Sequence, residues 1–555
     1  MNQIHKRKIV IIGGVAAGAS AAAKARRTDE HAEIVLFEKG PHVSFANCGL
    51  PYYVGEDIKD RNDLFVQSPK SLWNRFRIKV HVDHEALRID RKAKQVEVKD
   101  LTSGKIFLES YDKLILSPGA GAIVPPMPGL PAPNVFTLRT VPDSDSIKDW
   151  MTNKKPKRAV VVGAGFIGLE AAEAFSKRGL DVTLVEMLPQ VLPLFDPEMA
   201  DFMARQLRDK GINLILGDGI QSLRGSPVDT VLLKSGREVP ADLVVLSIGV
   251  RPELKLAQEA GLKIGEAGGI AVDEYQRTSD PDIYAAGDAV EVVQLVTGKK
   301  TRMPLAGPAN KQGRVAGANA VGGNLKFPGA LGTAIVESMG LIAAKTGLSE
   351  REAIQMSIPY YVSVTHSLDH AGYYPGGELM HMKLIVEKNS GRLLGAQIVG
   401  ERGVDKRIDV LATALSAGME VTDLENLDLA YAPQFSAAKD PVIMADFTAA
   451  NVGRGDVDTI TCENLRSRRK AGEILQVVDV RTTAEYATGH IPESIHIPVD
   501  ELRDRLKEID PAKETIVYCR IGFRGYVAAR ILQQSGFGKV KNLTGGILVC
   551  SETEV

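Results

Sequence analysis

Cysteine is scarce in this sequence: 555 residues contain only four, at positions 48, 462, 519 and 550. Four scattered cysteines make no disulfide framework, and no two have the spacing of zinc ligands, so we expect neither disulfides nor a metal site. The same scarcity is typical of proteins from reducing compartments, which predicts a cytoplasmic location.

An excess of charge of either sign is also missing. Lys and Arg number 68 and Asp and Glu number 69, a net charge of −1, which predicts neither nucleic acid nor a membrane surface as a partner. A run of about 18 apolar residues, the length that spans a bilayer, is absent too. The stretch 5–23 has the outline of a signal peptide, but its glycines favour a β-strand, a turn and a helix.

What the sequence does contain is length and an internal repeat. At about 150 residues per domain there is room for three to four domains. KIVIIGGVAAGASAA at 8–22 and AVVVGAGFIGLEAA at 159–172 each combine an apolar run, a glycine cluster and an alanine-rich helix. A second apolar strand with an acidic residue at its end follows each of them, at 34–39 and 182–187. Because continuous apolar strands belong to parallel sheets covered by helices, we predict two dinucleotide-type α/β domains.

The rest of the chain changes pattern twice. Strand-like runs at 113–120 and 243–252 again correspond between the two halves, whereas after about residue 330 the runs read as an antiparallel sheet with a helix. Residues 447–459 lose periodicity and gain Gly, Asn and Asp, which predicts a linker. From residue 460 a new α/β pattern begins.

The second repeat carries a complete G-x-G-x-x-G after its apolar strand, at Gly163, Gly165 and Gly168. The first glycine permits a tight turn, the second lets the backbone approach a pyrophosphate, and the third lets the helix pack on the strand. The start of that helix offers N–H groups to phosphate. Glu186 stands where a carboxylate accepts from a ribose 2′-hydroxyl, and it favours NADH because it repels the 2′-phosphate of NADPH.

The first repeat is less regular. Gly13, Gly14 and Gly18 are present, Val15 occupies the middle-glycine position, and Glu38 follows near the end of the next strand. Two such motifs in one chain predict two dinucleotide sites, and hence electron transfer between a flavin and a nicotinamide.

A third motif, TSDPDIYAAGD, ends at Asp288. Residues 8–450 resemble the pyridine nucleotide–disulfide reductase superfamily of flavoproteins, because the three motifs occur in the same order as in that superfamily. The resemblance implies FAD in the first repeat, NAD(P)H in the second, a contact of Asp288 with the flavin ribityl chain, and a homodimer. The domains we expect are an FAD-binding domain (1–148 and 254–328), an NAD(P)H-binding domain (149–253), a dimerisation domain (329–446), the linker (447–459) and a last domain (460–555).

The resemblance also extends the set of cofactor-binding residues. For FAD it implies, besides the glycines and Glu38, the residues Ala16, Lys39, Val82, Ser117, Gly119, Arg139 and Ala306. For NAD(P)H it implies, besides the glycine motif and Glu186, the residues Phe166, Ile167 and Gly249.

Cys48 follows the first repeat in HVSFANCGLPYY, residues 42–53. A thiol–disulfide reductase usually needs a second cysteine to resolve a mixed disulfide, and Val43 stands where dithiol members of the family have it. A redox-active Cys48 would therefore cycle through a mixed disulfide, a persulfide or a sulfenate; the alternative is a small buried apolar residue. The pattern S-F-x-x-C-G-L-P-Y resembles the single-cysteine branch, which includes coenzyme A disulfide reductases, NADH oxidases and NADH peroxidases.

Two tyrosines and several polar residues favour the coenzyme A members. Tyr373 and Tyr431 match tyrosines that, in coenzyme A disulfide reductases, come from the partner subunit and assist sulfur leaving groups at the cysteine. Coenzyme A needs cations for its phosphates, and Lys24 and Arg27, one helical turn apart, are candidates. By resemblance, the substrate-binding set also includes Ser20, Ser44, Asn47, Arg75 and Lys439.

The last domain has a sulfur motif of its own. CRIGFRG, from Cys519 to Gly525, follows an apolar strand and precedes a helix, so N–H groups and the helix dipole favour a thiolate or persulfide, to which Arg520 and Arg524 add charge. The motif resembles the C-x-x-G-x-R signature of rhodanese domains, and the segments DVR, GHIP and NLTGG match that family as well. Cys462 and Cys550 match no such environment, and we interpret both as structural or incidental.

Together these patterns predict an α/β fold with two Rossmann-like domains, an α+β dimerisation domain and an α/β rhodanese domain. The predicted activity is FAD-dependent reduction, by NAD(P)H, of coenzyme A persulfide, polysulfide or coenzyme A disulfide at Cys48, with Cys519 handling sulfane sulfur. The alternatives are an NADH oxidase or peroxidase that cycles Cys48 as a sulfenate, and a redox sensor or sulfur carrier that uses FAD structurally.

Overall fold

The computed structural model describes residues 6–550. They divide into two compact units, one up to Pro189 together with Gly211–Gly332, and one of Gln190–Lys210 together with the chain from Thr333 onward. None of the helices in this part of the chain is long and apolar enough to cross a membrane.

Residues 6–155 form the opening half of the first unit. Their strands are β1 (Lys8–Ile12), β2 (Glu33–Phe37), β3 (Ile78–His81), β4 (His84–Asp90), β5 (Gln95–Asp100), β6 (Ile106–Ser110), β7 (Lys113–Leu116), β8 (Ala120–Ala122) and β9 (Val135–Phe136). Their helices are α1 (Ala17–Thr28), α2 (Leu50–Val54), α3 (Pro69–Phe76) and α4 (Val141–Lys154).

The next stretch, up to residue 332, repeats the same alternation of strand and helix. Its strands are β10 (Arg158–Val162), β11 (Asp181–Glu186), β12 (Asn213–Leu216), β13 (Ile220–Gly225), β14 (Val228–Leu233), β15 (Glu238–Pro240), β16 (Leu243–Leu246), β17 (Val250–Pro252), β18 (Ile283–Ala285), β19 (Val292–Val293) and β20 (Lys300–Thr301). Its helices are α5 (Phe166–Lys177), α6 (Pro197–Asp209), α7 (Lys255–Glu259) and α8 (Ala306–Ala320).

Two five-stranded parallel sheets organise the first unit, in the orders β18-β7-β1-β2-β3 and β12-β11-β10-β16-β9. The apolar run of β1 is continuous because both of its faces are buried: Ile9 and Ile11 pack in one core with α1, and Val10 and Ile12 in another. The two predicted dinucleotide-type domains are confirmed. The second sheet also includes β9, which lies before the boundary expected at residue 149.

The second unit contains the remaining elements. Its strands are β21 (Ala334–Ser338), β22 (Leu341–Gly347), β23 (Tyr360–Leu368), β24 (Leu379–Glu387), β25 (Leu393–Gly400), β26 (Asp458–Ile460), β27 (Gln476–Asp479), β28 (Ile495–His496), β29 (Thr515–Tyr518) and β30 (Val540–Leu543). Its helices are α9 (Glu350–Gln355), α10 (Val404–Ala417), α11 (Val421–Leu424), α12 (Pro441–Gly453), α13 (Cys462–Lys470), α14 (Thr483–Ala487) and α15 (Phe523–Gln534).

Strands β21 to β25 form the predicted antiparallel sheet, in the order β21-β22-β25-β24-β23, and strands β26 to β30 form a parallel sheet in the order β26-β30-β29-β27-β28. Helix α6 belongs to this second unit, although it lies within the range 149–253 expected to be the NAD(P)H-binding domain. One interaction that attaches α6 to the second unit is a buried cluster of charged side chains, which we call the Lys383 cluster. Lys383 on β24 is fully buried and pairs with three carboxylates: Asp196 (3.0 Å), Glu198 and Glu350 (2.5 Å).

Two expectations are wrong. Residues 447–459 are not a linker throughout, because α12 continues to Gly453; Ala449 and Ala450 are buried, and Val452 packs against the core of the last domain. A disulfide is also present: Cys462 and Cys550 are bonded, 88 positions apart. Sequence spacing could not reveal that bond, because its two ends meet only when the parallel sheet is complete.

Candidate active site

Glycines shape the turn that follows β1. Gly13 has a φ of +92°, and a Cβ atom there would lie 2.0 Å from the Ser117 carbonyl oxygen. A Cβ atom on Gly18 would lie 1.8 Å from the Gly13 carbonyl oxygen. The chain therefore passes into α1 with backbone against backbone, as a dinucleotide turn requires. Ser117, which follows β7, braces the turn by donating its hydroxyl to the carbonyl oxygens of Ile12 (2.9 Å) and Gly13 (3.1 Å).

Glu38, which follows β2, holds the same turn from the other side. Its carboxylate accepts hydrogen bonds from the backbone N–H groups of Gly14 (2.7 Å) and Gly40 (2.8 Å). Burial raises the pKa of Glu38, and these N–H groups oppose that shift. The carboxylate is thereby fixed beside the turn, where a ribose hydroxyl would reach it.

The turn after β10 repeats this construction. A Cβ atom on Gly163 would lie 2.5 Å from the Ser247 carbonyl oxygen, and one on Gly168 would lie 1.9 Å from the Gly163 carbonyl oxygen. A Cβ atom on Gly165, by contrast, would have no atom of another described residue, apart from its chain neighbours, within 4 Å. Glu186 accepts a hydrogen bond from the Ala164 N–H at 2.8 Å. The middle glycine thus borders free space, which fits the approach of a pyrophosphate.

Ser247 was not expected from the sequence. Its hydroxyl donates to the carbonyl oxygens of Val162 (2.9 Å) and Gly163 (3.0 Å), as that of Ser117 does in the first turn. The signal was present in the sequence: a serine follows the strand in both KLILSPGA and LVVLSIGV. The two turns are therefore structural copies, and both fit a dinucleotide.

Cys48 lies on a 3-10 turn, Asn47–Gly49, immediately before α2. Its side chain is exposed, and the free cysteines of the described chain are Cys48 and Cys519. Desolvation by surrounding protein atoms raises the pKa of the Cys48 thiol, the Glu170 carboxylate raises it further, and Arg139 opposes both. A thiolate at Cys48 therefore depends on the charge state of its neighbours.

Glu170 on α5 is one of those neighbours and was missed by the sequence analysis. The Tyr52 hydroxyl donates to its Oε1 at 3.2 Å. Burial raises the pKa of Glu170 to about 7, against the opposing effect of the Tyr52 hydrogen bond. The only sequence signal is its place two residues after the last glycine of the second motif. Its carboxyl group can therefore exchange a proton near neutral pH.

A cavity of about 510 Å³ opens beside α1 and contains four of the residues expected to bind substrate: Ser20, Arg27, Ser44 and Arg75. Its size lies in the range of roughly 300–1,000 Å³ that small-molecule sites occupy. Four polar residues that sequence analysis missed also line it: Gln67 and, on helix α8, the three residues Asn310, Lys311 and Arg314. The cavity is therefore rich in cations and includes the segment that leads to Cys48.

Helix α8 brings those three residues to the cavity because it packs closely on α1. A Cβ atom on Gly313 would lie 2.1 Å from the Ala17 carbonyl oxygen, and one on Gly317 would lie 2.1 Å from the Ala21 carbonyl oxygen. The Ser20 hydroxyl on α1 hydrogen-bonds Asn310 Oδ1 at 2.6 Å. Small residues at these contacts thus set the position of the cations on α8.

Cys519 in the last domain is buried at the end of β29 and receives the backbone N–H of Gly522 on its Sγ at 3.1 Å. Arg524, in the first turn of α15, donates to both carboxylate oxygens of Glu485, at 2.6 and 2.7 Å. This ion pair lowers the pKa of Glu485 to about 2. The loop therefore presents N–H groups to sulfur while a carboxylate holds its arginine in place.

Family models match this chain along most of its length. The model for pyridine nucleotide-disulphide oxidoreductases matches residues 7–313. The chain belongs to this family. The model for the family's dimerisation domain matches residues 335–441, and that for the rhodanese-like domain matches residues 461–552. FAD and NAD(P)H are the cofactors of the family, and both glycine turns fit them.

Relatives of this pyridine nucleotide-disulphide oxidoreductase carry several names. The NAD(P)H sulfur oxidoreductase (CoA-dependent) of Pyrococcus furiosus is 37% identical over 442 residues, 80% of this chain and 98% of the relative. The coenzyme A disulfide reductase of Staphylococcus haemolyticus is 35% identical over 447 residues, 80% of this chain and 100% of the relative. The NADH oxidase of Methanocaldococcus jannaschii is 35% identical over 439 residues, 79% and 97% of the two chains.

Two solved structures resemble the chain over nearly its whole length. Reduced CoADR-RHD of Bacillus anthracis is 45% identical and has a TM-score of 0.95, with 99% of this chain and 98% of that chain covered. The NAD-dependent persulfide reductase from A. fulgidus is 42% identical and has a TM-score of 0.91, with 98% and 100% covered. The predicted fold class is thereby confirmed, including the rhodanese-like domain.

The other residues expected at the oxidoreductase's cofactors come from several elements of the first unit. The Arg139 guanidinium donates to the Ala120 carbonyl oxygen (2.9 Å) and lies 3.9 Å from the Asp288 carboxylate, whereas Lys39 is an exposed residue paired with Glu85. Ala16 and Val82 pack against the core beside α1, and Gly119 lies close to the Arg139 guanidinium. Ala306 is the first residue of α8, and Phe166 is the first residue of α5. Ile167 is exposed, and Gly249 has a φ of +110°.

Some expected substrate-binding residues lie elsewhere. Lys24 is half-buried on α1 and is not among the residues that line the cavity, whereas Arg27 is exposed and lines it. Asn47 donates its side-chain amide to the Arg139 carbonyl oxygen at 3.3 Å, which occupies one of its donors. Lys439, in the second unit, is exposed, as is Arg520 beside Cys519.

The two expected catalytic tyrosines meet in the second unit. The hydroxyl oxygens of Tyr373 and Tyr431 are 2.6 Å apart, and the rings are 76% and 48% exposed. Their hydrogen bond raises the pKa of Tyr431. The two rings, linked at their hydroxyls, thus lie at the surface of the described part of the second unit.

Proposed function

We propose that this oxidoreductase uses NAD(P)H and FAD to reduce coenzyme A persulfide, polysulfide or coenzyme A disulfide at Cys48, and that Cys519 supplies sulfane sulfur. The cavity beside α1 is the observation that carries the proposal. Four cationic side chains line the cavity and can pair with the phosphates of coenzyme A: Arg27, Arg75, Lys311 and Arg314. Ser44 also lines the cavity and belongs to the same segment of chain as Cys48.

The chain's own chemistry starts at Cys48. Its thiolate attacks the outer sulfur of coenzyme A persulfide, so that Cys48 becomes a persulfide and coenzyme A leaves as a thiolate. With coenzyme A disulfide, the same attack forms a mixed disulfide and releases one coenzyme A thiolate. Protonation of Glu170 favours the attack, because the Glu170 carboxylate is one of the groups that raise the pKa of Cys48.

FAD, when bound, would supply the two-electron chemistry that links NAD(P)H to the sulfur held on Cys48. Residues of the two glycine turns, with Glu38 and Glu186, hold the two dinucleotides. Glu186 favours NADH, because its carboxylate repels a 2′-phosphate. We expect a preference for NADH that Glu186→Ala weakens, measured as the ratio of kcat/KM for NADH and NADPH.

Tyr373 and Tyr431 are proposed to serve the Cys48 of a partner subunit in a homodimer. Their linked hydroxyls can donate a proton to a leaving thiolate. The large exposed area of both rings supports this role. Tyr373→Phe and Tyr431→Phe should each lower kcat without changing the oligomeric state, which analytical ultracentrifugation would check.

Binding of coenzyme A at the cavity is tested on α3. Arg75→Ala should raise the KM for coenzyme A disulfide several-fold, because it removes a charge-assisted contact to phosphate. Lys70→Ala is the matched control, since Lys70 is exposed on the same helix and does not line the cavity. An equal change in KM for both variants would contradict the assignment.

Two serine variants test the separate roles proposed for Cys48 and Cys519. Cys48→Ser should abolish NADH-dependent turnover of every sulfur substrate. Cys519→Ser should spare reduction of coenzyme A disulfide and impair the use of thiosulfate or polysulfide donors. Equal losses for both classes of substrate in Cys519→Ser would contradict a relay between the domains.

The second candidate function is an NADH oxidase or peroxidase in which Cys48 cycles as a sulfenate. A relative of that name at 35% identity favours it. Steady-state rates separate the two: faster reduction of oxygen or hydrogen peroxide than of coenzyme A persulfide or disulfide would overturn the first proposal.

A further inference from the structure

The disulfide between Cys462 and Cys550 lies at a place where it can act on Cys519. Cys462 is the first residue of α13, and Cys550 follows a 3-10 turn, Gly546–Val549, that comes after β30. Cys550 is 4% exposed, whereas Cys462 is half-buried. Cys462 is therefore the more exposed of the two bonded residues.

The 3-10 turn next to Cys550 forms the back of the Cys519 loop. The N–H of Ile547 donates to the Cys519 carbonyl oxygen at 2.9 Å, and the N–H of Leu548 donates to the Arg520 carbonyl oxygen at 3.1 Å. A Cβ atom on Gly546 would lie 2.5 Å from the Cys519 carbonyl oxygen. Movement of this turn thus necessarily disturbs the loop that carries the thiol.

The residues just before the turn form hydrogen bonds with the antiparallel sheet of strands β21 to β25. The Val364 N–H on β23 donates to the Thr544 hydroxyl at 2.9 Å, and His366 donates its Nε2–H to the Gly545 carbonyl oxygen at 2.9 Å. The segment 544–550 therefore carries contacts to β23 at one end, the Cys519 loop in its middle and the disulfide at the other end.

We propose that the Cys462–Cys550 disulfide is a redox-responsive clamp on the Cys519 loop, opened by small thiols, so that sulfur transfer at Cys519 responds to the thiol–disulfide balance. The importance of this clamp for turnover rests on the proposed function of Cys519. In chains from reducing compartments, disulfides are usually transient or regulatory rather than structural.

Opening requires two molecules of thiol. The thiolate of the first attacks the sulfur of Cys462, the more exposed residue, which forms a mixed disulfide and releases Cys550 as a thiolate. The second attacks the mixed disulfide, which releases Cys462 as a thiolate and forms the small-molecule disulfide. Two electrons pass from the two thiols to the protein bond, and re-oxidation by a small disulfide reverses both steps.

The open clamp changes the loop through its hydrogen bonds. Without the covalent link, the segment after β30 opens more often, and the Cys519 and Arg520 carbonyl groups lose their N–H donors during each opening. The Gly522 N–H contact to the Cys519 sulfur depends on the same loop conformation. Sulfur transfer at Cys519 should therefore slow, while reduction of coenzyme A disulfide at Cys48 should not.

The first measurement counts thiols in the full chain, unfolded in guanidinium without reductant. Four cysteines with one disulfide predict two thiols, and four after treatment with 2-mercaptoethanol. Four thiols before treatment of protein prepared without reductant would overturn the proposal at once.

The second measurement is amide hydrogen exchange of the folded chain with and without 2-mercaptoethanol. We expect exchange in residues 519–525 and 544–549 to accelerate about tenfold on reduction, and exchange in α1 to stay constant. The double variant Cys462→Ser/Cys550→Ser should match the reduced chain and show no response to the thiol. Unchanged exchange in both segments of the reduced chain would overturn the clamp.

Activity assays separate this proposal from the proposed function. Transfer of sulfur from thiosulfate to cyanide should be several-fold slower in the double variant, with NADH-dependent reduction of coenzyme A disulfide unchanged. If Cys519→Ser leaves sulfur transfer intact, the proposed function of Cys519 fails, whereas the exchange measurement still decides whether the clamp exists. If exchange accelerates while sulfur transfer stays at its original rate, the regulatory part of the clamp is refuted.

Discussion

Asp446 on α12 is a buried acid without a counter-charge, and replacing it should remove a large pH dependence of stability. Its side chain is 0% exposed, and neither carboxylate oxygen has a hydrogen-bond partner among the described residues. Desolvation by burial, with smaller effects of Glu425 and Asp440, raises its pKa from 3.8 to about 8. The helix that carries it packs on β23 and contributes Val452 to the core of the rhodanese-like domain.

The sign and size of the effect follow from this shift. Between about pH 5 and pH 8 the folded chain keeps a proton that the unfolded chain has released, so the free energy of unfolding falls as pH rises. Each pH unit costs about 1.4 kcal/mol, so the loss over these three units is about 4 kcal/mol. Asp446→Asn has no proton to release and should lack this slope.

Urea unfolding at several pH values between 5 and 8 would measure the difference between the native chain and Asp446→Asn. We expect the variant's advantage in the free energy of unfolding to widen as pH rises. Asp409→Asn is the matched control, because Asp409 is exposed on α10 of the same unit. Parallel pH profiles for the native chain and Asp446→Asn would refute the reasoning.

Three further predictions test other charged groups. Lys383→Met should lower the free energy of unfolding, measured by urea denaturation, by about 3–5 kcal/mol, because three carboxylates of the Lys383 cluster lose their buried counter-charge. A loss of free energy no larger than that from breaking an exposed ion pair would contradict this. Glu170→Gln should lower the pKa of Cys48, which moves the pH midpoint of alkylation by iodoacetamide downward, and an unmoved midpoint would speak against the coupling. Glu485→Gln should slow thiosulfate sulfur transfer about tenfold, since Arg524 loses a charge-assisted bidentate partner; an unchanged rate would show that this pair does not position the loop.

Much of the fold and part of the site could be predicted from the sequence because the signals are local. Each strand, glycine turn and helix of the two repeats lies within a short stretch, and backbone sterics at Gly13 and Gly163 dictate the turn. The same holds for Cys519, whose loop is defined by its neighbours. Ser247 lay in an equally local pattern and could have been found from the repeat, because Ser117 is its counterpart. The position of Glu170 corresponds to Ser20 in the first repeat, so the repeat did not mark it.

Other features depend on packing between distant segments. Lys311 and Arg314 join the cavity only because small residues let α8 touch α1. Helix α12 extends into the expected linker, as far as Gly453, because one side of it is buried, and α6 joins the second unit through the Lys383 cluster.

The sequence by itself thus determined the two dinucleotide turns, the two thiols and the order of the domains, since each rests on residues close together in the chain. Only the tertiary structure decided the role of the other two cysteines. Their bond joins positions 88 residues apart, and a contact at that separation depends on the packing of the whole sheet between them rather than on local spacing.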